Sequence, residues 1–313
     1  MEKKYRAGLI GVGSIAHIAH LPILAARNDV EMAGAFAEHI GSVQLTQKSY
    51  AIQHAVHNMD ELLSLGLDCA FVLSPKTVHA EQVIRLLEAG VDVFCEKPMG
   101  MTLKEAYDMA DASARTSRKL MIAFNRRYAP VYRKAKEIYG QISPDVLIAQ
   151  KNRPASEYRA TLENAIHMVD ILRYFCGECI KVGACSKFTD PLYETLTTAQ
   201  LQFENGSVAM LVANRASGQW VETLEMHGHN KSVLVNCPDS ITMTDAEQSH
   251  TTSMTPLAYG WAKVIDKMGF TQEVDHFFDC LAHDKEPLTN GADAYKTQEL
   301  MHRILTAAGL PGL

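Results

Sequence analysis

The chain lacks any uninterrupted apolar run approaching the ~18–20 residues that span a bilayer. Its apolar opening is broken by glycines instead of ending at a small-residue cleavage site. It therefore reads as a cytosolic protein without a targeting segment. Basic residues are neither in surplus nor gathered into a stripe: 30 Lys and Arg against 36 Asp and Glu leave a formal charge of −6. That balance excludes a nucleic-acid or membrane-surface partner and leaves small molecules and further copies of the chain. No internal repeat and no low-complexity tract is present. The seven cysteines are an odd number, several lie in apolar strand-like runs, and they read as reduced thiols acting as small hydrophobes. Cys176 and Cys179, in "CGEC", have no second pair of that spacing, so they read as a helix end closed by Gly177. His54 and His57 have no carboxylate at a fitting spacing, His227 and His229 sit at a strand end, and no metal site is expected. His276 and Asp279 fall on the solvated face of a helix that buries Val274, Phe277 and Leu281.

What the chain has is core. With 313 residues, 47% of them hydrophobic, it can fill two domains of ordinary size. Up to about residue 123, short apolar runs alternate with helical stretches. Runs beginning near Tyr5, Val30, Leu67, Val91 and Lys119 read as strands; residues 15–26, 59–65, 79–89 and 102–117 read as helices, the last capped by Thr102. Continuously apolar strands joined by helices imply a doubly wound parallel sheet, an α/β domain over 1–123 with ligands beyond the strands' carboxyl ends. From 124 to 313 the texture changes to a second, α+β domain. It has a helix over 130–139 and an open, mostly antiparallel sheet with strands near 145–151, 180–188, 194–204, 207–214, 222–228 and 232–236. Asn205-Gly206 marks one of its turns. A helix, "ATLENAIHMVDILRYF", interrupts the strands; residues 246–271 read as a long irregular stretch, and helices near 271–283 and 292–308 close the chain.

Two stretches carry chemistry. In "GLIGVGSIA" the first strand ends at Gly11, Gly13 leaves room for a pyrophosphate, Ser14 and Ile15 open the helix, and Ala16 takes the small-residue place. An unliganded turn would carry such a motif equally well, but here it follows the first strand of a parallel pattern. The second stretch, "VDVFCEKPMGMT", sets Glu96, Lys97 and Pro98 at a strand's carboxyl edge. A lysine there would lie beside a cationic nicotinamide, whose charge would lower its pKa toward that of a proton-transferring amine.

At these residues the sequence resembles the glucose-fructose oxidoreductase, inositol dehydrogenase and rhizopine catabolism (Gfo/Idh/MocA) family of NAD(P)-dependent oxidoreductases, over nearly the whole chain. The resemblance rests on Gly11 to Ala16, on "SPKTVHAE" (Ser74, Pro75, His79), on Glu96-Lys97-Pro98 and on "FNRRYAP" (Asn125, Arg126, Arg127). It implies a cis Lys97–Pro98 bond. Where the family has Asp-x-Gly-x-His-x-x-Asp, this chain has Glu163-Asn164-Ala165-Ile166-His167-Met168-Val169-Asp170. His167 and Asp170 match; Glu163 and Ala165 depart from the pattern. Helical spacing would put Glu163, His167 and Asp170 on one side.

The resemblance implies hydride exchange between the nicotinamide and a hydroxyl-bearing carbon of a sugar, cyclitol or related polyol. Lys97 and His167 would share the hydroxyl proton, with Glu163 or Asp170 orienting the group and the substrate. Asn125, Arg127, Tyr158 and Asn164 are the substrate-binding candidates; Arg159 and Trp261 could as well serve packing. A homodimer or homotetramer built through the second domain's sheet face is the implied assembly. Ala37 stands where the family most often has Asp, Glu38 follows it, and no Arg or Lys precedes Lys48, so NAD(H) is expected ahead of NADP(H). A catalytically silent dinucleotide- or sugar-binding regulator is the alternative that the same fold leaves open.

Overall fold

The computed structural model describes residues 4–154, 159–190, 193–254 and 263–310. In chain order the elements are β1 (Tyr5–Ile10), α1 (Leu21–Ala25), β2 (Val30–Phe36), α2 (Ile40–Ser49), β3 (His54–Ala55), α3 (Met59–Leu63), β4 (Cys69–Val72), α4 (His79–Glu88), β5 (Asp92–Cys95), α5 (Leu103–Thr116) and β6 (Leu120–Ile122). There follow α6 (Pro130–Tyr139), β7 (Val146–Asn152), α7 (Ile166–Cys176), β8 (Cys179–Asp190), β9 (Tyr193–Phe203), β10 (Val208–Asn214) and β11 (Val221–Gly228). The last elements are β12 (Lys231–Asn236), β13 (Ser240–Asp245), β14 (Gln248–Ser253), α8 (Val264–Lys267), α9 (Phe270–His283) and α10 (Gly291–Ala307). Two compact units result: Met1–Ala123 with Phe270–Tyr295, and Phe124–Gly269 with Lys296–Leu313. The first unit thus takes Phe270–Tyr295 from a stretch whose texture assigns it to a second domain. Among the described residues no helix is long and apolar enough to cross a membrane.

The first unit is a six-stranded parallel sheet in the order β3-β2-β1-β4-β5-β6. The order reverses between β1 and β4, the point at which doubly wound sheets bind ligands. Its central strands are mostly apolar because both faces are covered; Leu9, Ala70, Phe71, Val93 and Phe94 are all fully buried. Phe71 and Phe94 stack at 4.9 Å, and Phe277 of α9 meets each edge-on at 5.7 Å. Just beyond α9, Thr289 exchanges hydrogen bonds with the Ile122 backbone, accepting through its carbonyl at 2.9 Å and donating through Oγ1 at 2.7 Å. Thr102 caps α5, accepting from the Glu105 amide while the Glu105 carboxylate reaches back to the Thr102 amide.

The second unit is an eight-stranded sheet in the order β14-β13-β12-β11-β7-β10-β9-β8. Only β7 and β10 run parallel; every other pair is antiparallel. Period-2 burial along β7, β10 and β11 marks one covered face, against which α7 packs. Gly177 ends α7 at φ +80°. All seven cysteines carry free thiols.

One expectation from the sequence is corrected, and one element carries no signal there. Residues 246–271 are not an irregular stretch throughout: β14 pairs with β13 across Ala246 and Glu247, both at positive φ, and α8 follows later. The hairpin was hidden because β14 is exposed and built of Gln, Ser, His and Thr, so it has no apolar alternation to read. The element without a signal is α2, which buries only Val43 and Thr46.

Candidate active site

In the first unit the predicted cofactor residues gather at the carboxyl ends of β1, β2, β4 and β5. Gly11 follows β1 at φ +90°, its amide bonded to the Phe36 carbonyl. A Cβ there would lie 2.6 Å from the Ser74 amide nitrogen, so the turn admits only glycine. A Cβ on Gly13 would meet nothing within 4 Å. The backbone at Gly13 is therefore open to a ligand's close approach, as a pyrophosphate requires. Ser14 and Ile15 start the helix in partial or full exposure, and Ala16 is fully buried beneath them. Glu38 is exposed in the bend between β2 and α2. After β4, Ser74 donates to Gln82 Oε1 at 2.5 Å, and Pro75 is exposed. His79 is buried; its Nδ1 lies 3.0 Å from the Pro98 carbonyl and its Nε2 3.0 Å from that of Ser74. Its ring thus braces the turn after β4 against the turn after β5, and burial holds its pKa below the ordinary histidine value.

The Lys97–Pro98 bond is cis. Lys97 is half-buried, and its amide donates to Glu96 Oε2 at 3.1 Å. Glu96 is 8% exposed, and its Oε1 lies 2.9 Å from His20 Nε2. Burial alone would raise the Glu96 pKa; the His20 hydrogen bond and the charges of His20 and Lys97 outweigh it and hold the carboxyl below the ordinary range. His20 had no signal in the sequence reading. It sits 76 residues from its partner, beyond the stretch Gly11–Ala16 that carries the motif.

In the second unit, "ATLENA" (Ala160–Ala165) is π-helical and passes directly into α7. The wide opening turn departs from the regular spacing assumed for Glu163, His167 and Asp170. Glu163 is half-buried, and its Oε2 accepts from the Arg159 amide at 2.9 Å. Asn164 is buried; its amide donates to the Lys151 carbonyl at 3.0 Å, while its Oδ1 meets no donor among the described residues. His167 lies on α7, 7% exposed. Asp170 is fully buried, taking Arg127 through both oxygens at 2.8 and 2.6 Å and Thr297 at 3.0 Å. Asn125 donates to the Met268 carbonyl at 3.0 Å. Arg127 is thus brought onto Asp170, a pairing that motif spacing could not reveal. Tyr158 and Trp261 lie outside the described residues.

A buried charged cluster also escaped the sequence reading. Arg126 donates to both oxygens of Glu222 at 2.5 and 2.9 Å, Tyr132 donates to it at 3.3 Å, and Lys151 pairs with Glu222 directly across from β7 to β11. Burial, then the Arg126 charge, pushes the Lys151 pKa down to about 7, against the pull of Glu222. Both cations hold Glu222 well below the carboxylate range. The available signal was period: Lys151 follows Leu147 and Ala149 on the covered face of β7, and Glu222 precedes Leu224 and Met226 on that of β11. A charge at an apolar position of a period-2 pattern requires a buried partner.

Two family descriptions match the chain: "Oxidoreductase family, NAD-binding Rossmann fold" over residues 5–124, and "Oxidoreductase family, C-terminal alpha/beta domain" over residues 154–309. A Salmonella typhimurium protein named as an oxidoreductase, YceM, is 26% identical over 96% of both chains. The scyllo-inositol 2-dehydrogenase (NAD(+)) of Bacillus subtilis is 20% identical over 94% of this chain and 91% of its own. An Agrobacterium radiobacter oxidoreductase, solved with NAD+, L-tartaric acid and magnesium, shares the fold with a TM-score of 0.88 at 18% identity, over 98% of this chain and 97% of that one. With both of its domains matched, and with a glycine turn and a Glu-Lys-Pro turn at the strand ends where a dinucleotide would be held, the chain belongs to the Gfo/Idh/MocA oxidoreductase family.

Proposed function

We propose that the protein is an NAD-dependent dehydrogenase acting on a hydroxyl-bearing carbon of a sugar, cyclitol or related polyol. The observation that carries this reading is the arrangement at the carboxyl ends of β1 and β5. An open backbone at Gly13 follows the first, and a half-buried Lys97 follows the second. Gly11, Gly13, Ser14, Ile15 and Ala16 would receive the pyrophosphate at the helix start, Glu38 the adenosine ribose, and Ser74, Pro75, Glu96 and Lys97 the nicotinamide half, with His79 setting the shape of both turns. When bound, the nicotinamide supplies the hydride acceptor or donor. Lys97 and His167 exchange the hydroxyl proton, and Asp170, held by Arg127 and Thr297, fixes the helix that carries His167. Glu163 and Asn164 orient the substrate. Asn164 Oδ1, buried without a donor among the described residues, is an acceptor suited to a substrate hydroxyl. Arg127 acts through Asp170, and Asn125 through the backbone it ties.

Following NADH formation across a panel of inositols, aldoses and sugar acids tests the reading. Turnover of at least one polyol is expected. Tight NADH binding with no turnover across the panel would replace the dehydrogenase with a sugar-linked regulator of the same fold. The same protein should bind NADH about fivefold more tightly than NADPH, the equivalent of the ~1 kcal/mol by which two charges 4 Å apart interact in water. Glu38 would repel the 2′-phosphate. Tighter NADPH binding at low salt would show that Glu38 does not meet the ribose.

A further inference from the structure

His20 takes no part in the chemistry described so far, yet it is fully buried and aimed at the turn that carries Lys97. It ends the segment Ala16–His20, whose turn is widened so that the Leu21 amide bonds to the Ala16 carbonyl. A widened turn re-aims the side chains around it, a device frequent at functional sites. The ring is enclosed by aromatic groups: Phe94 lies 5.3 Å away, Phe270 6.0 Å and Phe71 6.3 Å, centroid to centroid. Within that cage Nε2 meets Glu96 Oε1 at 2.9 Å, and Nδ1 has no hydrogen-bond partner among the described residues.

A carboxylate as buried as that of Glu96 is costly unless its oxygens are satisfied. Here His20 takes one oxygen, and the other accepts the Lys97 amide. The titratable groups facing Glu96 are His20 and Lys97, with the Cys95 thiol and the His79 ring nearby. We propose that His20 is a positioning residue for Lys97: by holding one oxygen of Glu96, it fixes the other on the Lys97 amide and so fixes the backbone that carries the amine. The helix that begins at the glycine turn is thereby tied to the catalytic turn through one hydrogen bond. The proposal rests on the dehydrogenase reading, in which Lys97 moves a proton.

The test compares His20→Leu, which keeps the volume without a donor, His20→Gln, whose amide can donate from near the Nε2 position, and Glu96→Gln. With a substrate from the polyol panel, His20→Leu should lower kcat by roughly 10- to 100-fold, the scale of a catalytic group misplaced by about 1 Å. KM and NADH affinity should change far less. His20→Gln should recover most of the loss, and combining His20→Leu with Glu96→Gln should cost no more than the worse single change. A folded His20→Leu with wild-type kcat overturns the proposal, as does a kcat loss fully explained by a smaller folded fraction. Should His20→Leu fail to fold, the contrast between His20→Gln and Glu96→Gln carries the same decision. If the wild type itself turns over no polyol, the dehydrogenase reading fails while the contact is still tested by hydrogen exchange at the Lys97 amide. Exchange should be faster in His20→Leu, or in Glu96→Gln, than in His20→Gln; equal rates overturn the proposal.

Discussion

Lys97→Met is expected to lower turnover by roughly 10²- to 10⁴-fold, the range seen when a positioned acid–base group is lost. Met keeps most of the side chain's length and its apolar stem, so the turn after β5 should keep its shape, and NADH affinity should change little. The informative comparison is kcat at saturating cofactor and substrate, with NADH fluorescence titrated in parallel. A variant with intact binding and near wild-type turnover would remove Lys97 from the proton transfer. A variant that loses NADH binding and turnover together would instead make Lys97 a cofactor ligand.

Glu222→Gln should destabilise the protein by about 3–5 kcal/mol, because it leaves Arg126 and Lys151 buried without their shared counter-charge. Urea unfolding should show the midpoint falling with an unchanged slope. A midpoint equal to that of the wild type would mean that the cluster is neutral when assembled. Lys151 adds a pH signature. Its pKa is depressed to about 7 in the folded protein, while an unfolded lysine titrates near ~10.4. Between these values the unfolded chain binds more protons, so stability should rise with pH across that window. Below about 7 both states are protonated, and the cost of burying the charge is at its full value. Lys151→Met should flatten the rise.

The parallel sheet and the strands of the second sheet could be read from the sequence because burial imposes period. Strands covered on both faces are apolar throughout, as β4 is, or nearly so, as β5 is after Asp92, and strands covered on one face alternate, as β7 and β11 do. Where burial imposes nothing, the sequence is silent: β14 and α2 contribute few or no apolar side chains to a core. The Glu-Lys-Pro turn and the glycine turn were legible for a different reason, since their residue types are dictated by backbone conformation and by charge at a strand end. The partners of those residues were not. Arg127 meets Asp170 across 43 positions, Arg126 meets Glu222 across 96, and His20 meets Glu96 across 76. Local spacing carries no record of pairings that only the folded chain makes.

The placement of α9 bears on how the protein is made. Phe277 and Phe278 reach the aromatic centre of the first sheet, and Thr289 pairs with the β6 backbone, yet all three are encoded after the whole of the second sheet. During synthesis the dinucleotide fold must therefore wait. The ribosome releases β1 to β6 with a gap where α9 belongs, completes β7 to β14, and only then delivers the helix that closes the first core. An isolated fragment of residues 1–123 would lack α9 and expose the phenyl rings of Phe71 and Phe94. A nascent chain stalled before residue 270 would present the same surface to chaperones.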